Sequence, residues 1–208
     1  MNERSGTPPR RERSRLRAVF RIRHLTAVHL VALAACGGEA KAPAAAPVVA
    51  PIATGIERFF PLEEGKLYSY VTKDGTDTGM LVAKVHRTDA AHGELRLSNA
   101  TKRFLITPDG ISYDTGAFIL KAPAEVGNAW PGEHGGTTKI VATDAQVDVP
   151  AGHYASCLTT VEEGGRAPGS RYTTTYCPGV GMVLLVVSAG GAEARAELKS
   201  YGMPVKIE

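Results

Sequence analysis

From residue 59 onward, short runs of alternating apolar and polar residues are separated by Gly-containing turns. No segment there keeps a 3.6-residue apolar period over three turns, so the repeating element is the strand. Leu67 to Lys73 reads as a first strand and Asp74-Gly75 as a turn. Met80 to His86 follows, with Leu81, Ala83 and Val85 on one face and Lys84 and His86 on the other, because successive strand residues point to opposite sides. Leu95 and Leu97 alternate with Arg96 and Ser98, and Phe104 and Ile106 lead into Pro108-Asp109-Gly110, a strong turn signal. Ile111 to Tyr113 and Phe118 to Leu120 continue the meander.

The second half is patterned alike. Ile140 to Val149 precedes Pro150-Ala151-Gly152 and a strand from Tyr154 to Glu162; Gly164 to Ser170 then turns the chain into Tyr172 to Cys177. Met182 to Val187 is continuously apolar, which predicts a central strand covered on both faces. After Gly190-Gly191, Ala194, Ala196 and Leu198 face inward while Glu193, Arg195, Glu197 and Lys199 face outward. Roughly ten strands in sequence-neighbour order predict an all-β, antiparallel meander. The expected form is a strongly curved sheet, half-barrel or barrel, with a sandwich as the alternative.

The pattern changes upstream. A basic stretch, Arg10 to Arg23, leads into eleven residues without charge, Leu25 to Ala35. A membrane-spanning helix needs roughly 20, so this is the order of a secretory signal rather than an anchor helix. The run ends in Leu33-Ala34-Ala35-Cys36 and resembles a bacterial lipoprotein signal peptide with its lipobox. The resemblance implies cleavage before Cys36, acylation of that residue and, with Gly37 next, a preference for the outer membrane. Each buried methylene contributes about 0.8 kcal/mol, and one acyl chain holds only reversibly, so a stable anchor needs several. Residues 37–58 carry evenly spaced Pro43, Pro47 and Pro51. At about 3.1 Å per residue, such a tether reaches roughly 70 Å. The expected organisation is a signal peptide over 1–35, lipidated Cys36 with an Ala/Pro-rich linker over 36–58, and an all-β domain over 59–208.

Removing the leader changes the charge. The chain has 24 basic and 21 acidic residues; residues 1–35 hold eight Arg and two Glu, leaving 16 against 19, a net of −3. That balance leaves no basic patch for a nucleic-acid partner.

Cys157 and Cys177 lie ten residues either side of Ala167. If the turn between their strands is centred there, they oppose each other, and opposed residues place their Cα atoms about 4.5–5.5 Å apart, within disulfide reach. Two buried free thiols and a metal site using His153 are the competing readings. The disulfide is favoured, because export supplies an oxidising compartment and the cluster is short of metal ligands.

Four further motifs occur in order: Phe60-Pro61-Leu62-Glu63-Glu64-Gly65, Pro123 to Trp130, Val149-Pro150-Ala151-Gly152-His153-Tyr154 with Cys157, and Pro178-Gly179-Val180-Gly181. Over about residues 59–201 the chain resembles a group of uncharacterised bacterial lipoproteins with an all-β domain. It departs from them at Cys177, where another small residue often stands.

Chemistry is harder to find. No HExxH, GxSxG, P-loop or CxxC pattern is present, and neither a catalytic set nor a cofactor is expected. Asp148, His153 and Ser156 lie near one turn but form a triad only if geometry joins them. His134 with Glu133 is a conceivable metal pair, though a solvated loop is the expectation, and no metal is assigned. Phe59, Phe60, Tyr68, Tyr70 and Trp130 are aromatic; Phe60, Tyr68, Tyr70 and Trp130 are the candidates for lining a ligand cleft. The leading expectation is a membrane-anchored envelope lipoprotein serving as a non-enzymatic interaction or structural module. A carrier of a lipid or other apolar ligand comes second, and a hydrolase third.

Overall fold

The structure, a computed structural model, describes residues 55–205. The signal segment, Cys36 and most of the linker therefore lie outside the described residues.

Alternation in the sequence becomes twelve antiparallel strands: β1 (Leu67–Asp74), β2 (Asp77–Arg87), β3 (His92–Arg96), β4 (Thr101–Thr107), β5 (Gly110–Tyr113), β6 (Phe118–Lys121), β7 (Ala129–Pro131), β8 (Thr137–Val149), β9 (Gly152–Glu163), β10 (Arg171–Cys177), β11 (Gly181–Ala189) and β12 (Ala192–Gly202). They form one sheet in the order β6-β5-β4-β3-β2-β1-β12-β11-β10-β9-β8-β7. The first strand thus pairs with the last, with Tyr70 opposite Leu198 and Thr72 opposite Ala196. The free edges belong to β6 and β7, which are consecutive in the chain and are brought close by the sheet's curvature. The result is a nearly closed barrel.

That seam is bridged by side chains rather than by a ladder. Trp130 Nε1 donates to Phe118 O at 3.0 Å. Asn128 Nδ2 donates to Lys121 O and Pro123 O at 3.0 and 2.8 Å. The Phe118 and Lys121 carbonyls belong to the edge strand β6, so these bonds cover an edge that has no ladder partner on that side.

The inward faces follow the expected alternation. Val85, Ile111, Leu120, Ile140, Leu158 and Leu198 are all 0% exposed, and burying such a side chain contributes about 1.5–3 kcal/mol. A 3-10 helix, Ile56–Phe59, adds Ile56 and Phe59 to the same core, and Gly179 N donates to Arg58 O at 2.7 Å. The folded unit therefore starts before the boundary expected at residue 59. Ile56, assigned to the linker by its Ala/Pro-rich neighbours, is an apolar residue inside the barrel. Phe60 packs edge-on against Phe104 and Tyr176, with ring centroids 5.2 and 6.1 Å away.

β11 differs from its expectation. Val183 is fully buried, whereas Leu184, Leu185, Val186 and Val187 are only half-buried. Leu185 and Val187 point inward but border a cavity instead of packed side chains, so apolar continuity here does not bring complete cover.

The β9–β10 register pairs Arg171 with Glu163 and Tyr176 with Leu158. Extending it by one residue sets Cys177 against Cys157, and the two sulfurs are bonded with Cα atoms 4.3 Å apart. Opposite the disulfide, β9 is irregular: β8 advances two residues from Ala145 to Val147 while β9 covers Cys157 to Tyr154. The extra β9 residue is a bulge containing Ser156 at φ +56°. Bulges bend a strand pair, and the end of the β8–β9 hairpin reaches β12, where Ala151 N donates to Leu198 O at 2.9 Å.

Candidate ligand cavities inside the barrel

Among the described residues, two small hollows stand out in the barrel. The first is apolar, about 150 Å³, and is bordered by Phe60, Leu62, Tyr68, Tyr70, Phe104 and Met182 among others. Alternation positions Tyr68 and Tyr70 two residues apart on the inward face of β1, their rings stacked at 6.4 Å. Their hydroxyls donate to Pro61 O and Met182 O at 3.3 and 3.1 Å. Burial pushes the ionisation of both well above the usual tyrosine range. Three of the aromatic residues singled out in the sequence, Phe60, Tyr68 and Tyr70, meet here. Trp130 does not; it is 2% exposed and committed to the seam.

The second hollow, about 190 Å³, has a polar side formed by Glu133, His134, Glu162 and the threonines 138, 160 and 174. The rest of its lining is aromatic and aliphatic, Tyr113, Phe118, Ile119, Tyr172, Tyr176, Leu185 and Val187. Tyr113 and Ile119 border both cavities and separate them.

Glu162 organises the polar side. It follows Leu158 and Thr160 on the inward face of β9, with only 7% of its side chain exposed. Its Oε1 accepts the N–H groups of His134 and Gly136 at 2.8 and 3.1 Å. Its Oε2 pairs with His134 Nδ1 at 2.9 Å. A buried carboxylate needs such donors, because leaving it unpaired is costly. The β7–β8 turn supplies them by lying hard against it: a Cβ on Gly132 would fall 2.2 Å from Glu162 Cδ. The imidazole of His134 also stacks on Tyr172, centroids 3.6 Å apart and planes within 5°. The turn expected to be merely solvated is therefore fastened to the barrel wall, and His134 pairs with Glu162 rather than joining Glu133 in a metal pair.

Glu133 borders the same cavity, as does Tyr113, and Glu133 forms an ion pair with Lys102. Burial opposes ionisation of Glu133, but the Lys102 ammonium, the neighbouring Tyr113 hydroxyl and the nearby positive charge outweigh it and hold its carboxyl below the ordinary range. Burial first, then the neighbouring Tyr176 and Glu133, drive Tyr113 far above the usual phenol range. Lys102 Nζ lies 5.2 Å from the Tyr113 ring centroid.

Sequence reading missed Glu162 as a site residue. The signal was present: a carboxylate falls on the inward period of an otherwise core-forming strand. A glycine-flanked Glu-His turn, Gly132 to Gly136, is also suited to close approach.

The other candidates lie apart. Asp148 and His153 are paired across the hairpin end, His153 Nδ1 to Asp148 Oδ1 at 2.8 Å, with side chains 86% and 58% exposed. Ser156 sits in the β9 bulge, and among the described residues its hydroxyl forms no hydrogen bond with His153. His153 is committed to Asp148 rather than to the cysteines. Among the described residues no cluster of three or more His, Cys, Asp or Glu is arranged to hold a metal.

No protein-family profile matches the chain. No curated protein matches it either. Several solved structures show some likeness, two of them as follows. One is a Bacteroides fragilis NCTC 9343 protein, assigned by those who solved it as exported and with a YmcC-like fold. It aligns with TM-score 0.46 and 12% identity over 69% of this chain and 98% of its own. The other is a Parabacteroides distasonis ATCC 8503 protein assigned as a lipoprotein, with TM-score 0.44 and 12% identity over the same shares. Likeness at these values argues neither fold nor function for this chain.

Proposed function

We propose that the protein is a lipid-anchored component of the bacterial envelope, held through acyl chains on Cys36, and that its barrel is a non-enzymatic binding or interaction module. Support for the anchor is the sequence Leu33-Ala34-Ala35-Cys36 behind a basic and then an apolar stretch.

The observation carrying the non-enzymatic reading is how the inward titratable groups are engaged. Glu162 is held by two backbone N–H groups and His134, and Glu133 by Lys102. These contacts orient acids and donors around a hollow. A nucleophile within reach of a base, the constellation acyl transfer needs, is not among the described contacts of either cavity. Outer membrane residence is part of the same proposal and rests on Gly37 following the cysteine.

The carrier reading has a specific observation behind it, the apolar cavity, and a specific obstacle, its size. About 150 Å³ equals an engineered cavity that admits benzene, whereas drug-sized ligands occupy roughly 300–1,000 Å³. A whole acyl chain needs the barrel to open further.

The test compares the full chain with a Cys36→Ser variant expressed in a Gram-negative host. Partition of the full chain into detergent, loss of that partition in the variant, and an acylated mass at Cys36 are expected. An aqueous, unacylated full chain overturns the anchor. Turnover of an ester, amide or glycoside that disappears in His134→Ala or His153→Ala would replace the binding module with a hydrolase.

A further inference from the structure

The polar cavity holds two carboxylates, Glu133 and Glu162. Glu133 pairs with Lys102, which lines the neighbouring apolar hollow, and Glu162 pairs with His134. Glu162 also accepts two backbone N–H groups, so much of its charge is balanced by dipoles rather than by a permanent cation. The remaining wall offers the rings of Tyr113, Phe118, Tyr172 and Tyr176. Carboxylates beside aromatic faces are the surroundings that attract an ammonium group, because the ring quadrupole and the acid charge act in the same direction. The same surroundings repel anions and penalise a neutral apolar guest, which would strip water from polar groups without pairing them.

The protein supplies an internal example. The Lys102 ammonium lies over Tyr113 and pairs with Glu133 at the border between the two hollows. About 190 Å³ exceeds the benzene-admitting cavity of about 150 Å³, so an ammonium with a few carbon atoms fits and a peptide does not.

We propose that this cavity binds a compact organic ammonium ion, primary to quaternary, with Glu162 and Glu133 as its counter-charges and the tyrosine rings as its walls. The proposal rests on the barrel being a binding module and makes no use of the lipid anchor.

The experiment titrates the purified, detergent-solubilised full chain with choline, with tetramethylammonium, and with 3,3-dimethylbutanol, the neutral carbon isostere of choline. Calorimetry and NMR shifts of Tyr172 and His134 are the readouts. The cations are expected to bind, and the isostere to bind at least about tenfold more weakly. Lys102→Met removes the competing ammonium and is expected to tighten choline several-fold. Glu162→Gln and, independently, Tyr172→Leu are expected to weaken it about tenfold or more; the second variant serves should the first lose the fold. Failure of both cations to bind wild type and Lys102→Met overturns the proposal, as does equal binding of the isostere. A chain that binds choline but stays out of the detergent phase would overturn the anchor and leave the ligand standing. One that partitions normally but ignores both cations would do the reverse.

Discussion

Trp130 Nε1 donates to the carbonyl of Phe118 across the seam between β7 and β6, at 3.0 Å. Two strands adjacent in sequence but at opposite ends of the sheet order are thereby joined without a ladder. Trp130→Phe keeps most of the ring and removes the donor. It is expected to cost about 1–3 kcal/mol, the cost of an unpaired buried carbonyl. Trp130→Ala adds a cavity and should cost about 3–5 kcal/mol. Chemical denaturation gives the totals, and amide exchange should rise first around 118–131. Unchanged exchange there would remove the seam's role in closure.

The disulfide closes a sequence separation of 20 residues between buried Cys157 and Cys177. Restricting the unfolded chain to that loop contributes about 3 kcal/mol in the chain-entropy view. A Cys157→Ala, Cys177→Ala double variant is expected to lose about that much in urea unfolding. Because both sulfurs are buried, reduction of the native protein should be slow until the barrel opens. Rapid reduction under native conditions would contradict that burial.

Ser156 carries φ +56° in the β9 bulge. A left-handed backbone costs a side-chain-bearing residue about 1–2 kcal/mol, partly offset when glycine replaces it by glycine's extra freedom in the unfolded chain. Ser156→Gly should therefore be neutral or stabilising by up to about 1 kcal/mol. Ser156→Val should destabilise by at least about 1 kcal/mol. Thermal midpoints in the opposite order would mean the bulge relaxes freely.

Glu133 is held below the ordinary glutamate value of 4.5. A depressed folded-state pKa gives stability that is present above the unfolded value and is lost as pH falls through the folded one. Thermal midpoints should thus fall on acidification below about pH 4.5. Lys102→Met should flatten that part of the profile, because it removes one cause of the depression. Superimposable profiles would exclude the ion pair as a contributor.

At the alkaline end, Tyr68, Tyr70, Tyr113 and Tyr176 all have folded-state ionisation raised by burial above the ordinary value of 10.0. Here the sign reverses: stability is full below the unfolded value and is lost as pH rises past it. Their tyrosinate absorbance should appear together with loss of the fold. Smooth titration of all four with circular dichroism unchanged would contradict their burial.

Strand existence and inward faces were legible locally. Leu81, Ala83 and Val85, or Ala194, Ala196 and Leu198, declare their side through a period of two, which needs no partner to be read. The opposition of Cys157 and Cys177 was equally local, since a turn centred on Ala167 fixes the register of both flanking strands. Which strands close the barrel was not local. The pairing of β1 with β12 spans nearly the whole domain, and it is this pairing that leaves β6 and β7 as the free edges, which curvature then brings together. For the same reason Trp130 reads as a cleft aromatic in sequence and becomes a seam donor in space. Glu162 shows the division most clearly. Its inward position follows from its place on β9, but its partners His134 and Gly136 come from another turn, and only folding brings those N–H groups to a carboxylate that could not otherwise stay buried.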